Sequence, residues 1–350
     1  MQVEQKIDQM LQEAVRMQAT DLHLMPKQNG YLLKIRVGGQ LIKSETFSLR
    51  EGERLIAYLK FTASMDIGEK RKPQSGSFRY TAHQLPLSLR ISTLPAVPHK
   101  ESLVIRLLPQ EYAPPLSHLT LFPYTASQLI SLLHYSNGLI LLSGPTGSGK
   151  STTLYSMIQH CASHLNKHVI TLEDPVEKQQ DAFVQIQVNE KAGITYSTGL
   201  KAILRHDPDV IMVGEIRDEE TARAAVKSAL TGHLVLSTIH ARDAAGVIGR
   251  LMELGITQHE MTQTLIGITA QRLIRIRCPN CNGICIETCT QSTRQAIVCE
   301  LLSGKALFDA LKEKQINEER SSYKKLQDEL RKGMAYGFVT GEEWARWCFS

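Results

Sequence analysis

The run Gly144-Pro145-Thr146-Gly147-Ser148-Gly149-Lys150-Ser151, followed by Thr152, has the G-x-x-x-x-G-K-[ST] spacing of a phosphate-binding loop. Glycines at 144, 147 and 149 let the backbone turn its N–H groups inward around phosphate oxygens, and a helix beginning at Ser151 adds the partial positive charge of its N-terminus. Lys150 is placed to reach the β- and γ-phosphates of ATP, and the Ser151 hydroxyl to ligate magnesium. A glycine-rich turn with an exposed lysine is the other reading of such a run. The flanks weigh against it: Leu139 to Leu142 reads as a buried strand, and Leu154, Met157, Ile158 and Cys161 share one helix face.

A second run, LRHDPDVIMVGEIRDEETA from Leu204 to Ala222, sets Glu215 just past a hydrophobic strand, at the end where an open α/β sheet puts its ligands. Many P-loop enzymes carry an aspartate before this glutamate. Here the position is Gly214, and no LSGGQ run is present, which speaks against the ABC and AAA types. EDPVE brings Glu173, Asp174 and Glu177 to another strand end, and HLVLSTIH runs from His233 to His240. For Glu215 a solvated carboxylate at a strand end is the other reading; taken singly, the EDPVE acids read as a charged loop and the histidines as structural. Taken together, they put acidic and imidazole groups at strand ends on the same side of a sheet as the loop.

Those groups need a frame. Apolar runs at 138 (GLILL), 168 (HVITL), 209 (DVIMV) and 233 (HLVLST) alternate with helical patterns at Ser151 to Leu165, Thr198 to Leu204, Glu219 to Leu230 and Ala244 to Leu254. Strands apolar on both faces and spaced by helices predict a largely parallel sheet covered on both sides, an α/β fold. FVQIQVN at 183 alternates and reads as an added, half-exposed strand. Upstream, Val3, Ile7, Met10, Leu11, Ala14 and Val15 define an amphipathic opening helix. Strand-like alternation follows at Asp21 to Leu24, Tyr31 to Val37, Leu87 to Ser92 and Ser102 to Leu108. Pro109, Pro114 and Pro115 mark a linker. The expected organisation is an α+β domain at 1–112, a linker at 113–118, a nucleotide-binding α/β domain at 119–277, and a cysteine motif with a polar helical region at 278–350.

The chain has 350 residues, 21% charged, with a net charge of +5, a balance that by itself indicates neither a disordered polyelectrolyte nor a dedicated nucleic-acid binder. No apolar run approaches the ~18 residues that span a bilayer, and the opening helix lacks the continuous apolar core of a signal peptide. A cytosolic protein, or one held at a membrane by partners, is expected. Without an export signal, the seven cysteines argue for thiols or metal ligands. Cys278, Cys281, Cys285 and Cys289 form C-x2-C-x3-C-x3-C, able to offer four thiolates to zinc, with buried or free thiols as the alternative. Cys299, in AIVCELL, reads as a core residue of a helical stretch. Arg272, Arg275 and Arg277 read as a solvated helix face or a subunit contact, and basic residues interleave too little with aromatic ones to predict direct nucleic-acid binding.

Four segments, in order, resemble one known family, the secretion ATPases of type II secretion and type IV pilus assembly. GPTGSGKSTTLY resembles their Walker A box, EDPVE their Asp box, LRHDPDVIMVGEIRDEETA their atypical Walker B box and TGHLVLSTIHARDA their His box. The resemblance runs from about residue 20 to about residue 290. It implies a PAS-like α+β N-terminal domain joined to a RecA-like motor domain, assembled as a homo-hexamer at the cytoplasmic face of the membrane. There ATP hydrolysis would act on a polytopic inner-membrane platform protein and, through it, on pseudopilins. By the same resemblance Glu215 is the catalytic glutamate that polarises water, Glu177 assists it, and His240 senses the γ-phosphate. Arg90 in LRISTLP and Arg106 in ESLVIRLL resemble N-terminal-domain arginines that reach bound nucleotide; on their own they read as surface arginines on strands. The short chain and its cysteines resemble the compact competence branch, whose motor builds a pseudopilus for DNA uptake. Larger relatives use two separated CxxC pairs, a pattern from which CPNCNGICIETC departs.

Overall fold

The structure, a computed structural model, describes residues 3–17, 19–37, 40–82, 85–97, 100–109, 113–277, 295–312 and 323–348, and the chain divides into two units, Met1–Tyr112 and Ala113–Ser350. The first unit contains α1 (Val3–Arg16), β1 (Asp21–Lys27), β2 (Gly30–Val37), β3 (Gln40–Ser48), α2 (Leu49–Thr62), β4 (Gln74–Ala82), β5 (Leu85–Ala96) and β6 (Lys100–Pro109). Its strands form one antiparallel sheet in the order β3-β2-β1-β6-β5-β4. Side chains alternate across a strand, so Leu22, Leu24, Leu33, Ile35, Leu89, Ile91, Leu103 and Ile105 gather in one core with Ile7, Met10 and Leu11 of α1 and Leu55, Ile56 and Leu59 of α2. Helix α2 begins in a capping box: Ser48 Oγ accepts the Glu51 N–H, and Glu51 returns a carboxylate oxygen to the Ser48 N–H.

The second unit contains α3 (Leu116–Leu119), α4 (Pro123–Leu132), β7 (Gly138–Ser143), α5 (Lys150–His164), β8 (Val169–Glu173), β9 (Val184–Gln187), α6 (Tyr196–Ile203) and β10 (Val210–Val213). It continues with α7 (Glu219–Leu230), β11 (Leu234–Ile239), α8 (Ala244–Glu253), α9 (Gln258–Thr264), β12 (Leu265–Arg275), β13 (Gln295–Ser303), α10 (Gly304–Lys312), α11 (Leu326–Ala335) and α12 (Gly341–Cys348). The sheet order is β13-β12-β7-β11-β10-β8-β9, parallel throughout except for the β12/β13 pair. Every residue of β7, β8, β10 and β11 is buried. Alternate residues of these strands enter two cores. Leu139, Leu141, Ile211, Val213 and Val235 lie with α6 to α10, and Ile140, Leu142, Val210, Met212 and Leu236 with α4 and α5. Strand β9 is the half-exposed edge expected of FVQIQVN. The two-unit α+β then α/β architecture is the fold class expected from the resemblance, PAS-like before RecA-like.

Two expectations fail. AIVCELL is not helical: it lies in β13, paired antiparallel with β12 from Gln295↔Arg275 to Ser303↔Gly267. Short apolar runs of this length cannot be separated from buried helix by periodicity, and Ile297 and Val298 suit a strand. Cys299 is buried, as expected, but within the sheet. Arg272 and Arg275 likewise lie on a strand, β12, and not on a helix face.

A buried ion pair, Lys60 Nζ to Glu101 Oε1 at 2.8 Å, sits inside the first unit with both side chains nearly inaccessible, and Lys60 also donates to the Glu69 carbonyl at 2.8 Å. Removing one partner strands the other charge. Glu101→Ala is expected to destabilise the first unit by about 3–5 kcal/mol, and the apolar pair Lys60→Met/Glu101→Leu by much less, as read from denaturant unfolding of the full chain.

Candidate active site

The loop from Gly144 to Gly149 carries the chain from β7 into α5, and its glycines are conformational requirements. Gly147 and Gly149 have φ of 79° and 85°, in the left-handed region. At Gly144, with φ of 143°, an added Cβ would lie 2.5 Å from the Gln271 carbonyl oxygen. Gln271, on β12, also donates its amide to the Ser148 carbonyl at 2.8 Å and so braces the loop from the adjacent strand. Lys150 Nζ donates to the loop's own carbonyls, Gly144 at 2.7 Å and Pro145 at 3.1 Å. Burial holds the Lys150 ammonium below the usual lysine range, against the opposing pull of Glu215. Ser148 Oγ is buried with no hydrogen-bond partner among the described residues. The ammonium and the first turn of α5 fit a polyphosphate, and the Ser151 hydroxyl on that turn fits its magnesium.

Across the cavity, β8 ends at Glu173, a buried carboxylate surrounded by neutral donors. Tyr155 of α5 donates to Oε2 at 2.5 Å, while Thr171 and Gln185 donate to Oε1 at 2.7 and 3.2 Å. The Glu177 N–H reaches Oε2 at 3.4 Å, so the EDPVE segment is folded back over its own first residue. Burial, with the nearby Glu173 charge, pushes the Tyr155 phenol far up, which keeps it a donor.

Glu215 follows β10 by two residues. Its loop is stitched to neighbouring strands: the Gly214 N–H donates to Leu172 O at 2.9 Å, Thr238 Oγ1 donates to Gly214 O at 2.8 Å, and the Ile216 N–H donates to Thr238 O at 2.9 Å. One Glu215 oxygen lies 3.0 Å from His240 Nε2 and the other accepts Arg217 Nε–H at 2.8 Å. A Cβ added at Gly214 would meet Tyr196 Oη at 3.2 Å and Glu173 Cα at 3.5 Å. A side chain at this position would therefore have to shift the Tyr196 hydroxyl by a few tenths of an ångström. Burial, then the nearby Asp174, pushes the Tyr196 phenol up to about 12.

A cavity of about 410 Å³ is lined by Thr146, Gly147, Gly149, Lys150, Ser151 and Thr152 from the loop and α5, and by Glu173, Asp174, Glu177, Glu215, Arg217 and His240 facing them. Gly144, Pro145 and Ser148 shape the loop without lining it. Arg90 and Arg106 belong to the first unit, directly opposite one another on β5 and β6. Arg106 Nε pairs with Asp21 at 2.9 Å; burial would raise the Asp21 carboxyl, but this hydrogen bond and a second from Thr20 hold it below the usual range. Arg90 Nη2 is buried without a hydrogen-bond partner among the described residues. Cys278, Cys281, Cys285 and Cys289 lie outside the described residues. Sequence reasoning missed Tyr155, Arg217, Tyr196 and Gln271. Arg217 and Tyr155 stood within the quoted runs, but their partners depend on strand order.

The parallel sheet, the glycine loop ahead of α5 and the carboxylates facing it define a P-loop ATPase. The chain matches the Type II/IV secretion system protein family over residues 1–344 and belongs to that family. It is 47% identical to Competence protein ComGA of Bacillus subtilis over 350 residues, covering 99% of this chain and 98% of that protein. Type II secretion system protein E of Dickeya dadantii is 41% identical over 276 residues; the match covers 79% of this chain and 55% of that longer relative. The solved pilus retraction motor PilT with bound ADP superposes with a TM-score of 0.76 at 26% identity, covering 97% of this chain and 96% of that one.

Because its pKa is lowered, the Lys150 ammonium loses its proton at a lower pH than free lysine. Nucleotide affinity is therefore expected to stay flat near neutrality and to fall about tenfold per pH unit above that lowered value. Titration with a fluorescent ATP analogue at alkaline pH reads this limb, which Lys150→Arg is expected to abolish.

Proposed function

We propose that the chain is the cytoplasmic motor of a competence pseudopilus. As a homo-hexamer it hydrolyses ATP against a polytopic platform protein of the cell membrane, and so drives pseudopilin addition during DNA uptake without binding DNA itself. The observation that carries this reading is Glu215, its carboxylate held between His240 at 3.0 Å and Arg217 at 2.8 Å in one cavity with Lys150. Likeness to ComGA along nearly the whole of both chains supports the competence assignment. Assembly of a type II secretion system or a type IV pilus is the alternative supported by the other relatives. No helix among the described residues is long and apolar enough to cross a membrane, so the proposed attachment runs through the platform protein.

In this mechanism Lys150 exchanges the carbonyls of Gly144 and Pro145 for the β- and γ-phosphates, with the N–H groups of the loop around them. Ser151 holds magnesium, which when bound offsets charge on the phosphate oxygens. Glu215 orients the attacking water and takes its proton, and His240, with Nε2 3.0 Å from a Glu215 oxygen, faces the γ-phosphate and links its presence to that carboxylate. Glu177 adds a second acceptor across the cavity. On the family resemblance alone, Arg90 and Arg106 supply further cations to the triphosphate.

Glu215→Gln is expected to lower kcat by roughly 10²–10³-fold with nucleotide still bound, and Lys150→Ala to abolish binding. Unchanged hydrolysis in both would sink the assigned site. Transformation of cells carrying Glu215→Gln should fail; normal DNA uptake by that binding-competent variant would instead make the protein a nucleotide-dependent scaffold.

A further inference from the structure

His240 is followed by a turn, Ala241 to Asp243, that leads into α8, and each part of the turn is held by a different strand. Ser143, closing β7, accepts the Ala241 N–H at 3.0 Å and donates to the Ala241 carbonyl at 2.8 Å. Arg272 of β12 donates Nη2–H to the Arg242 carbonyl at 2.9 Å. Glu300 of β13, only 4% exposed, accepts the Ala244 N–H on Oε1 at 2.6 Å. Neither Arg272 nor Glu300 lines the nucleotide cavity.

Both residues hold something else as well. Glu300 Oε2 accepts the N–H of Leu326, the first residue of α11, at 3.0 Å. The Arg272 guanidinium lies over the Trp347 ring of α12, 5.7 Å from its centroid. Helix α12 is tied to β12 once more through buried Glu343, which accepts the Arg275 N–H at 3.3 Å and Trp347 Nε1–H at 3.2 Å. A buried carboxylate with one oxygen on each of two helix starts cannot release either bond without leaving charge uncompensated, so the two helix starts are constrained to move as a pair.

We propose that Glu300 and Arg272 are positioning residues that tie the turn after His240 to α11 and α12. The seat of the histidine against Glu215 and the seat of the two C-terminal helices then change together. The proposal rests on the role given above to His240, but its readout is separate. The chain has two tryptophans, Trp344 and Trp347, both on α12, so intrinsic fluorescence reports on that helix.

The test uses the full chain with Trp344→Phe, leaving Trp347 as sole reporter, titrated with magnesium and the slowly hydrolysed analogue AMP-PNP. A saturable change in Trp347 emission is expected, with the midpoint found independently by calorimetry. In Glu300→Gln, whose amide nitrogen cannot accept the second N–H, AMP-PNP affinity should stay within about threefold, kcat should fall at least about tenfold with KM little changed, and the emission change should vanish. Arg272→Lys keeps the charge but not the reach to both partners, and should uncouple emission in the same way should Glu300→Gln not fold. No nucleotide-dependent emission in the parent, or a full emission change in folded Glu300→Gln and Arg272→Lys, overturns the proposal. Unchanged hydrolysis in His240→Ala would instead remove the role given to His240, while Trp347 emission would still report the coupling.

Discussion

Four adjacent parallel strands buried on both faces leave polar chemistry only one place to go, the point where the backbone leaves the sheet. In β7, β11, β10 and β8 no residue is exposed, and their registers run Ser143↔Ile239, Ser237↔Val213 and Val213↔Leu172, so the four strands end nearly level. The phosphate loop, His240 and Glu215 follow these strand ends, and Glu173 closes β8 beside them. Their convergence follows from the sheet and needs no separate device. Ser143 and Thr238 sit at or next to the same ends, and their hydroxyls tie the following loop backbone to the sheet.

The second constraint is the crowding of negative charge opposite one ammonium. Glu173, Glu177 and Glu215 share the cavity, yet each is handled differently. Glu173 is buried among neutral donors and spends its oxygens on Tyr155, Thr171 and Gln185, a structural use that shapes the segment carrying Glu177. Glu215 is partly exposed and shared between a histidine and an arginine. Carboxylates that look equivalent in the sequence are thus separated by burial and by the type of partner into a buried brace and a partly exposed group facing the cavity.

Much of this was legible in the residues. The strands of the motor sheet read apolar on both faces, and the loop and acids fall at their ends because strand, turn and helix signals all agree there. What stayed hidden depends on pairing. Leu265 to Arg275 holds no clean period, and a register shift between Leu265 and Gly267 blurs it further; its identity as a strand comes from β7 on one side and β13 on the other. The Ser48 and Glu51 capping box was a readable start for α2 that periodicity alone passed over. Arg90 and Arg106 were readable as strand residues, whereas their direct opposition across β5 and β6 is a fact of register.

The brace from Gln271 to Ser148 spans 123 positions of sequence. During synthesis the phosphate loop leaves the ribosome well before the strand that supports it. At about 5–20 residues per second, the interval is roughly 6–25 s. Over that time the loop's glycines are ordered only by β7 and α5, with the β12 side of the sheet open. A nascent chain of this protein therefore carries its phosphate-binding residues before it can hold them in shape, and the timing of translation beyond residue 271 decides how long the unfinished sheet edge is available to other chains.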